Sequence, residues 1–147
     1  MEIKNFVYPA EFLEDQESGG YVVKFTDFPE AITQGDSLGK SVEAATDCLE
    51  EAVSNRIVMN MEIPEASKGS RNCYTIALPV LTAAKAALYL AMKEAGITKV
   101  ELAKRMKCDE KEVRRLLNPR HASKLERLER ALSILGRQLV MSCQKAA

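Results

Sequence analysis

The chain of 147 residues, 46% hydrophobic and 29% charged, is long enough to bury a core and to form one domain or two small ones. Its apolar runs are shorter than the roughly 18 residues that a membrane-spanning helix needs. Its first residues lack the basic start, apolar core and small-residue cleavage site of a secretory signal. We therefore expect a soluble cytoplasmic protein with no membrane partner.

The net charge of zero is divided unevenly along the chain. Residues 1–80 carry 6 Lys and Arg against 14 Asp and Glu, a net charge of −8, whereas residues 81–147 carry 15 against 7, a net charge of +8. A basic helical segment is typical of polyanion binding, and an acidic segment indicates either a basic protein partner or simply solubility. The charge pattern alone does not decide between these.

The cysteines and the single histidine give little material for a metal or redox site. Cys48, Cys73, Cys108 and Cys143 are too far apart in the sequence for a metal knuckle or a redox motif. We interpret them as small buried hydrophobic residues without disulfides. Because His121 is the only histidine, we expect no His-based metal cluster, no general-base network and no bound cofactor.

In the first half, apolar periodicity predicts three short strands, then a helix, then a fourth strand. We expect the first strand at an edge of the sheet because it contains Pro9, which cannot donate to a ladder. The helix is predicted over residues 41–59, with Ser37 or Ser41 as its N-cap and its apolar stripe facing the sheet. The predicted strands are residues 3–13, 21–25, 31–34 and 73–78.

The second half is almost wholly helical by pattern and composition. A first helix begins near Thr82 and stops at Gly96. Three further helices are predicted from short polar residues that have a glutamate three places later, the pattern of an N-cap or capping box. These pairs are Thr98 with Glu101, Asp109 with Glu112, and Ser123 with Glu126. The last helix ends at Gly136, and residues 138–142 are predicted as a short strand.

Two short helices with a tight turn between them, Lys99–Met106 and Glu110–Leu117, have the layout of a helix-turn-helix. Periodicity predicts that one face of each helix is buried and that Lys111, Arg114 and Arg115 point outward. Arginine and lysine in those positions suit contacts to guanine edges and phosphates in a major groove. The residues predicted to be buried are Leu102, Ala103, Met106, Val113 and Leu116.

Several features of this region have more than one interpretation. Glu110 and Glu112 either read cytosine amino groups or stabilise the start of their helix through its dipole. The alternative to DNA binding is a plain helical bundle whose charged outer face is solvated. In the loop that follows, Arg120 and His121 lie beside the next helix N-terminus, where backbone amides and Lys124 are suited to hold a phosphate.

Seven segments together form a recognisable pattern: residues 8–10, 19–25, 27–35 and 41–52 in the first half, and residues 101–105, 112–117 and 120–136 in the second. Taken together, they resemble the HicB family of antitoxins, which belong to type II HicAB toxin–antitoxin systems. The Phe-Pro and Thr-Gln-Gly elements of residues 27–35 are the more specific part. The second half is similar to the helix-turn-helix of one HicB subclass, so the resemblance covers nearly the whole chain.

The resemblance implies an α+β protein with two domains. Residues 1–80 would form a β-β-β-α-β, partial ribonuclease-H-like domain that covers HicA, a small basic toxin that cleaves mRNA. Residues 81–147 would form an all-α helix-turn-helix domain of the Xre/Cro type, which represses the protein's own operon as a dimer or higher homo-oligomer. The acidic first half agrees with a basic toxin as partner, because opposite charges favour association.

Two sets of site residues follow from this interpretation. The toxin-binding set is placed by the resemblance alone in the strand and loop region of residues 25–36. It consists of Phe25, Asp27, Phe28, Pro29, Glu30 and Asp36. The DNA-binding set lies on the two short helices, at their N-termini and in the loop after them. It consists of Thr98, Lys99, Glu110, Lys111, Glu112, Arg114, Arg115, Arg120, His121 and Lys124.

Two other functions compete with this interpretation. A metal-dependent nuclease needs several carboxylates that converge on two ions. The acidic residues of the first half fall mainly at predicted strand ends or turns, so we expect no enzyme activity and no metal. These residues are Glu11, Glu14, Asp15, Asp27 and Asp36. The other competitor is a transcriptional regulator whose first domain senses a ligand or oligomerises, and it differs only in lacking a toxin partner.

Overall fold

The computed structural model describes residues 4–146 and is α+β, with the predicted order of three strands, a helix, a fourth strand and then four helices. The strands are β1 (Val7–Glu14), β2 (Tyr21–Phe25), β3 (Ile32–Gly35) and β4 (Cys73–Ala77). The helices are α1 (Leu38–Val58), α2 (Val80–Ala95), α3 (Lys99–Met106), α4 (Glu110–Leu117) and α5 (Leu125–Ile134). Residue 3, where the predicted first strand begins, lies outside the described residues. Within residues 4–146, none of the helices combines the length and the apolar composition that crossing a bilayer requires.

The four strands form one antiparallel sheet in the order β3-β2-β1-β4. The prediction that the first strand lies at an edge is therefore wrong, since β1 is paired on both sides. The Leu78 amide donates to the Phe6 carbonyl at 2.9 Å, so Phe6 and Leu78 form a hydrogen-bonded pair. Because hydrogen-bonded and non-hydrogen-bonded pairs alternate along an antiparallel ladder, Pro9 falls in a non-hydrogen-bonded pair with β4, where no N–H is needed. Its nitrogen points toward β2, where pairing stops at Ala10. This register explains why an inner strand accepts a proline.

The connection from β3 into α1 requires glycine at position 35. A Cβ on Gly35 would lie 2.6 Å from the Ser41 amide nitrogen, which is closer than real side chains approach. Ser37 caps the helix by accepting from the Lys40 amide at 3.2 Å, while Ser41 is buried and donates to the Ser37 carbonyl. Of the two predicted N-cap residues, the structure thus uses Ser37. The helix buries its apolar stripe, which consists of Ala45, Leu49, Ala52 and Val53.

Aromatic side chains form much of the core around the sheet. Tyr8 and Phe28 are both buried and meet edge to face, with ring centroids 4.9 Å apart. Phe12, which is also buried, meets the exposed ring of Tyr74 edge to face, with ring centroids 5.0 Å apart. The Tyr8 hydroxyl also donates to the Pro64 carbonyl at 2.8 Å, which ties the segment after α1 to the sheet.

The chain divides into two compact units, which we describe separately. The first unit contains the residues up to Asn55 together with Pro64–Pro79, and therefore the whole sheet. The second unit contains Arg56–Ile63 and the residues from Val80 onward, and therefore α2 to α5. The sequence-based division at residue 80 differs in one respect, because it places residues 56–63 in the first domain.

Helices α2 to α5 share one apolar core in the second unit. Its fully buried members include Leu88, Leu102, Val113, Leu128 and Ala131. The predicted stops at Gly96 and Gly136 are confirmed, because each glycine has a positive φ, 63° and 73° respectively, that ends the helix before it. Asn60 and Lys107 adopt the same left-handed conformation after α1 and α3, with φ of 56° and 55°.

The predicted strand at residues 138–142 is wrong, because residues 137–146 carry no regular secondary structure. The described part of the second unit contains no strand with which this segment pairs. Leu139 instead packs partly against the helical core, whereas Val140 and Met141 are exposed.

The prediction that the cysteines are buried is also wrong. Cys48, Cys73 and Cys108 are half-buried and Cys143 is exposed, and all four are free thiols. Burial raises the pKa of the Cys48 and Cys108 thiols, so neither is activated as a nucleophile.

Candidate nucleic-acid and partner interfaces

Helices α3 and α4 are joined by a three-residue connection, residues 107–109, that closes one helix and starts the next. The amides of Lys107 and Cys108 donate to the carbonyls of Lys104 and Ala103, which closes the end of α3. The Asp109 carboxylate then accepts from the Lys111 amide at 3.1 Å and starts α4. The predicted N-cap at Asp109 is confirmed. The same is true at the start of α3, where the Thr98 hydroxyl accepts from the Glu101 amide at 3.1 Å.

The two faces of the α3–α4 pair are divided as the periodicity predicts. Leu102, Ala103, Met106, Val113 and Leu116 are all buried. On α4, the side chains of Lys111, Arg114 and Arg115 are exposed; we call these three residues the α4 outer row. A helix that is apolar on one side and cationic on the other presents its charges to any polyanion that approaches.

The two glutamates of α4 make different ion pairs. Glu110 accepts from the Nε and Nη2 atoms of Arg114 at 3.2 and 3.0 Å, on an exposed part of the helix. An exposed pair of this spacing contributes only about 0.3–0.5 kcal/mol, so Arg114 is readily released to another anion. Glu112 instead accepts from Arg127 of α5 at 2.7 Å. Its carboxylate therefore joins two helices, a contact that neither sequence interpretation of Glu112 includes.

The loop of residues 118–124 brings several predicted site residues beside the start of α5. The Asn118 side chain accepts from the Arg120 amide, and the His121 ring nitrogen Nδ1 lies 3.1 Å from the Ser123 hydroxyl oxygen. Lys124 occupies the N-cap position of α5 without a side-chain cap bond, so the prediction that Ser123 caps this helix is wrong. An open depression of about 240 Å³ lies here. Its lining includes Glu112, Arg115, His121, Ser123, Lys124 and Arg127.

Sequence reasoning missed Lys85, a lysine of α2 that is 0% exposed. Its ammonium donates to the carbonyls of Arg115 and Asn118 at 2.9 and 2.8 Å and to the Ser123 hydroxyl at 2.8 Å. This network explains why Ser123 does not cap α5. The sequence did contain a signal, because Lys85 lies four residues after Leu81 and three before Leu88, on the apolar stripe of its helix.

In the first unit, the predicted toxin-binding residues fall into two groups. Phe25 and Phe28 are core residues, 3% and 0% exposed, so in this conformation they support the surface and do not form it. Asp27 is half-buried and accepts from the amide and hydroxyl of Ser67 at 3.0 and 3.1 Å. The exposed members of the set are Pro29, Glu30 and Asp36.

Two further predicted DNA-binding residues, Thr98 and Lys99, lie at the start of α3 and are exposed. Elsewhere, the Asp15 carboxylate closes the β1–β2 turn by accepting from the Ser18 hydroxyl at 2.9 Å, and this bond lowers the pKa of Asp15. Within residues 4–146, no three His, Cys, Asp or Glu side chains come together in a way that suits a metal ion.

These features define a class of protein: an α+β chain with an acidic unit built on a sheet and a basic unit of helices that exposes arginine and lysine along α4. Residues 7–87 match a family described as HicB-like antitoxin of bacterial toxin–antitoxin systems. The chain belongs to this family, as the sequence motifs indicate.

Relatives at similar distance cover nearly the whole chain. It is 35% identical over 142 residues to Antitoxin HicB 1 of Photorhabdus laumondii, and the aligned residues cover 97% of this chain and 90% of that protein. It is 36% identical over 132 residues to Antitoxin HicB of Escherichia coli, with coverages of 90% and 95%. For Antitoxin HicB of Pseudomonas fluorescens, the identity is 35% over 142 residues, and 96% of each chain is covered.

Proposed function

We propose that this protein is an antitoxin with two binding activities and no catalytic one. Its first unit binds and neutralises a small, basic, mRNA-cleaving toxin of the HicA type, and its second unit binds operator DNA and represses the protein's own operon. Membership of the HicB-like family supports the antitoxin role. The observation that carries the DNA-binding role is the exposed α4 outer row on a helix whose opposite face is buried.

In this proposal, α3 and α4 form a helix-turn-helix with α4 as the recognition helix. The α4 outer row faces the major groove, where arginine pairs with guanine edges and lysine contacts bases or phosphates. Glu110 holds Arg114 extended along the helix in the absence of DNA, through an exposed pair that is weak enough to exchange. A dimer or higher homo-oligomer places two such helices at half-sites about one DNA turn apart.

Backbone contacts come from residues around the two helix starts. Thr98 and Lys99 lie at the N-terminus of α3, where amide groups and helix dipole favour a phosphate. His121 and Lys124 line the depression at the start of α5, Arg120 lies in the same loop, and all three are exposed. Such contacts fix the register of a protein on DNA and make its affinity depend on salt.

For the toxin, we propose a surface formed by Pro29, Glu30 and Asp36, with Asp27 at its border. The buried Phe25 and Phe28 hold this loop from beneath. The excess of acidic residues in the first half complements a basic partner, and complementary charges raise the rate of association more than the final affinity.

We also propose that the first unit is a partial ribonuclease-H-like domain. The element order and the strand order β3-β2-β1-β4 support this assignment. Superposition on ribonuclease H tests it, and the comparison must include the direction of β4, which is antiparallel to β1.

The test of the antitoxin role is a pull-down of the tagged full chain from native lysate at moderate salt, followed by mass identification of small bound proteins. We expect a small basic protein whose RNA-cleaving activity is lost in the complex. The double variant Glu30→Lys with Asp36→Lys should lose this protein, while Glu43→Lys with Asp47→Lys, an equal charge change on exposed positions of α1, should keep it. DNA binding without any captured protein would instead favour a plain transcriptional regulator.

A further inference from the structure

Lys85 is a fully buried cation with every donor satisfied. An ammonium group has three N–H donors, and Lys85 places one on each of three oxygens at 2.8–2.9 Å. All three acceptors are neutral, and within the described residues no carboxylate bonds to this ammonium. The charge is therefore held by oriented dipoles alone.

The acceptors of Lys85 lie at the part of the second unit that carries the proposed DNA contacts. The Arg115 and Asn118 carbonyls belong to the last turn and the C-cap of α4, where the helix dipole favours a cation. The third acceptor, Ser123, lies just before α5 and also approaches the Arg115 carbonyl at 3.3 Å and His121 at 3.1 Å. One side chain of α2 thus holds the end of α4 and the loop of residues 118–124 together.

We infer that Lys85 is a positioning residue for DNA binding: by joining the end of α4 to the loop of residues 118–124, it presents Arg115, His121 and Lys124 as one phosphate- and base-contacting surface. This inference rests on the proposed DNA-binding function and names a residue outside the predicted DNA-binding set. Lys85 does not touch DNA itself, because it is fully buried. It orders the loop before DNA binds, so the loop loses less conformational entropy on binding.

The burial of a charge at this position has an energetic cost that a core residue without a positioning role would avoid. Burial lowers the pKa of Lys85 from 10.5 to about 8, since desolvation disfavours the charged form. An apolar side chain of similar length would fill the same space without this cost. What such a side chain cannot do is hold the Arg115 and Asn118 carbonyls and the Ser123 hydroxyl in one place.

The first experiment measures DNA affinity of full-length variants by fluorescence anisotropy. The probe is a labelled duplex from the region upstream of the protein's own gene, with a scrambled duplex as competitor. We expect Lys85→Met to weaken binding about tenfold, the order of magnitude for losing hydrogen bonds to a charged group. The matched control is Lys145→Met, the same change at an exposed position after α5 and outside the proposed surface, which should bind as the wild type does.

The second readout is the pH profile, which a residue with a merely structural role would not move in the same way. Between pH 7 and 9, Lys85 loses its proton and one of its donors, so we expect the affinity of the wild type to fall about threefold to tenfold with a midpoint near 8. Ordinary exposed lysines, with a pKa of about 10.4, stay charged in this range. The Lys85→Met variant should lack this step. The variant retains the other ionisable side chains around the network, which are Glu112, Arg115, His121, Lys124 and Arg127.

Stability must change in the opposite direction. Folding lowers the pKa of Lys85, so its contribution to folding stability is fully present above pH 10.5 and is lost as the pH falls through about 8. Raising the pH from 7 to 9 therefore stabilises the fold through this group while it weakens DNA binding. Urea denaturation of wild type and Lys85→Met across this range isolates the difference. Parallel loss of stability and affinity would overturn the positioning role.

The remaining outcomes are also decisive. If Lys85→Met does not fold, Ser123→Ala keeps the buried lysine and removes one acceptor; about a threefold weaker affinity and a wild-type step near pH 8 support the inference. Unchanged affinity in the folded variants, or a wild-type profile that is flat from pH 7 to 9, overturns it. Failure of the wild type to bind the duplex at any pH instead removes the DNA-binding function on which it rests.

Discussion

The two units bury different kinds of side chain. In the first unit the interior is formed mainly by apolar and aromatic groups, such as the edge-to-face pair of Tyr8 and Phe28. In the second unit, one basic side chain is also buried: Lys85, which reaches from α2 to the end of α4. The exposed Arg130 of α5 likewise links two helices, since it donates to the Met106 carbonyl at 3.4 Å. The comparison indicates that the proposed toxin-binding surface depends mainly on the packing of apolar side chains beneath it. The proposed DNA-binding surface depends also on hydrogen bonds that join helices.

Core truncations should have the largest effect and should separate the two units. Phe28→Ala is expected to cost about 3–5 kcal/mol of stability in the first unit, since it opens a cavity beside Tyr8. Leu102→Ala should cost about 2–5 kcal/mol in the second unit, where this residue is 0% exposed. Urea denaturation monitored by circular dichroism measures both losses.

The binding assays make these truncations a test of the comparison. Phe28→Ala should lose the captured toxin and retain DNA binding, and Leu102→Ala should do the reverse. If each variant lost both activities, the two units would unfold as one cooperative structure. The difference between their interiors would then not explain the two binding activities separately.

Substitutions on the α4 outer row come next in size. Arg114→Ala and Arg115→Ala should each weaken DNA binding by about 1–3 kcal/mol if the side chain pairs with a base, and leave toxin capture unchanged. Arg105→Ala is the matched control, because Arg105 is also exposed and pairs with a glutamate four residues away, but on α3. Equal affinity of both α4 variants and the wild type would remove α4 as the recognition helix.

What the sequence predicts correctly in the second unit is local. The starts at Thr98 and Asp109 depend on residues two or three places away, and the buried face of α4 depends on a period of 3.6. The errors concern partners that are distant along the chain. Ser123 has the spacing of a cap, but its hydroxyl is taken by Lys85, 38 residues earlier.

The same distinction applies to the first unit. The strands and the helix are set by alternation and by glycine and proline signals, so their order could be predicted. The position of β1 inside the sheet could not, because it depends on β4 pairing with β1 across 60 or more residues. The burial of Phe25 likewise follows from which face of the sheet is covered, and that of Phe28 from its contact with Tyr8 on β1. A motif of adjacent residues encodes neither.

Removal of a confirmed N-cap is a smaller change that acts on one helix alone. Asp109→Ala should destabilise the second unit by about 1 kcal/mol, because the Lys111 amide loses its acceptor. Ser133→Ala, at an exposed position within α5, is the matched control and should be neutral or slightly stabilising, since alanine is the better helix former. Denaturation midpoints compare the two. A cost no larger than that of the control would mean that α4 does not need this cap.

The smallest expected effect comes from the ion pair between Glu112 and Arg127, which joins α4 to α5 on a partly exposed surface. The two side chains are 46% and 36% exposed, so solvent screens the pair and a coupling energy of about 0.2–1 kcal/mol is expected, decreasing with salt. A double-mutant cycle with Glu112→Gln and Arg127→Met isolates this coupling. The pair of Glu101 and Arg105 within α3 serves as the reference, since both of its members are about half exposed. A coupling well above about 1 kcal/mol would mean that surface charges hold α4 as firmly as the buried network of Lys85 does, and the contrast between buried and exposed polar links in this unit would then disappear.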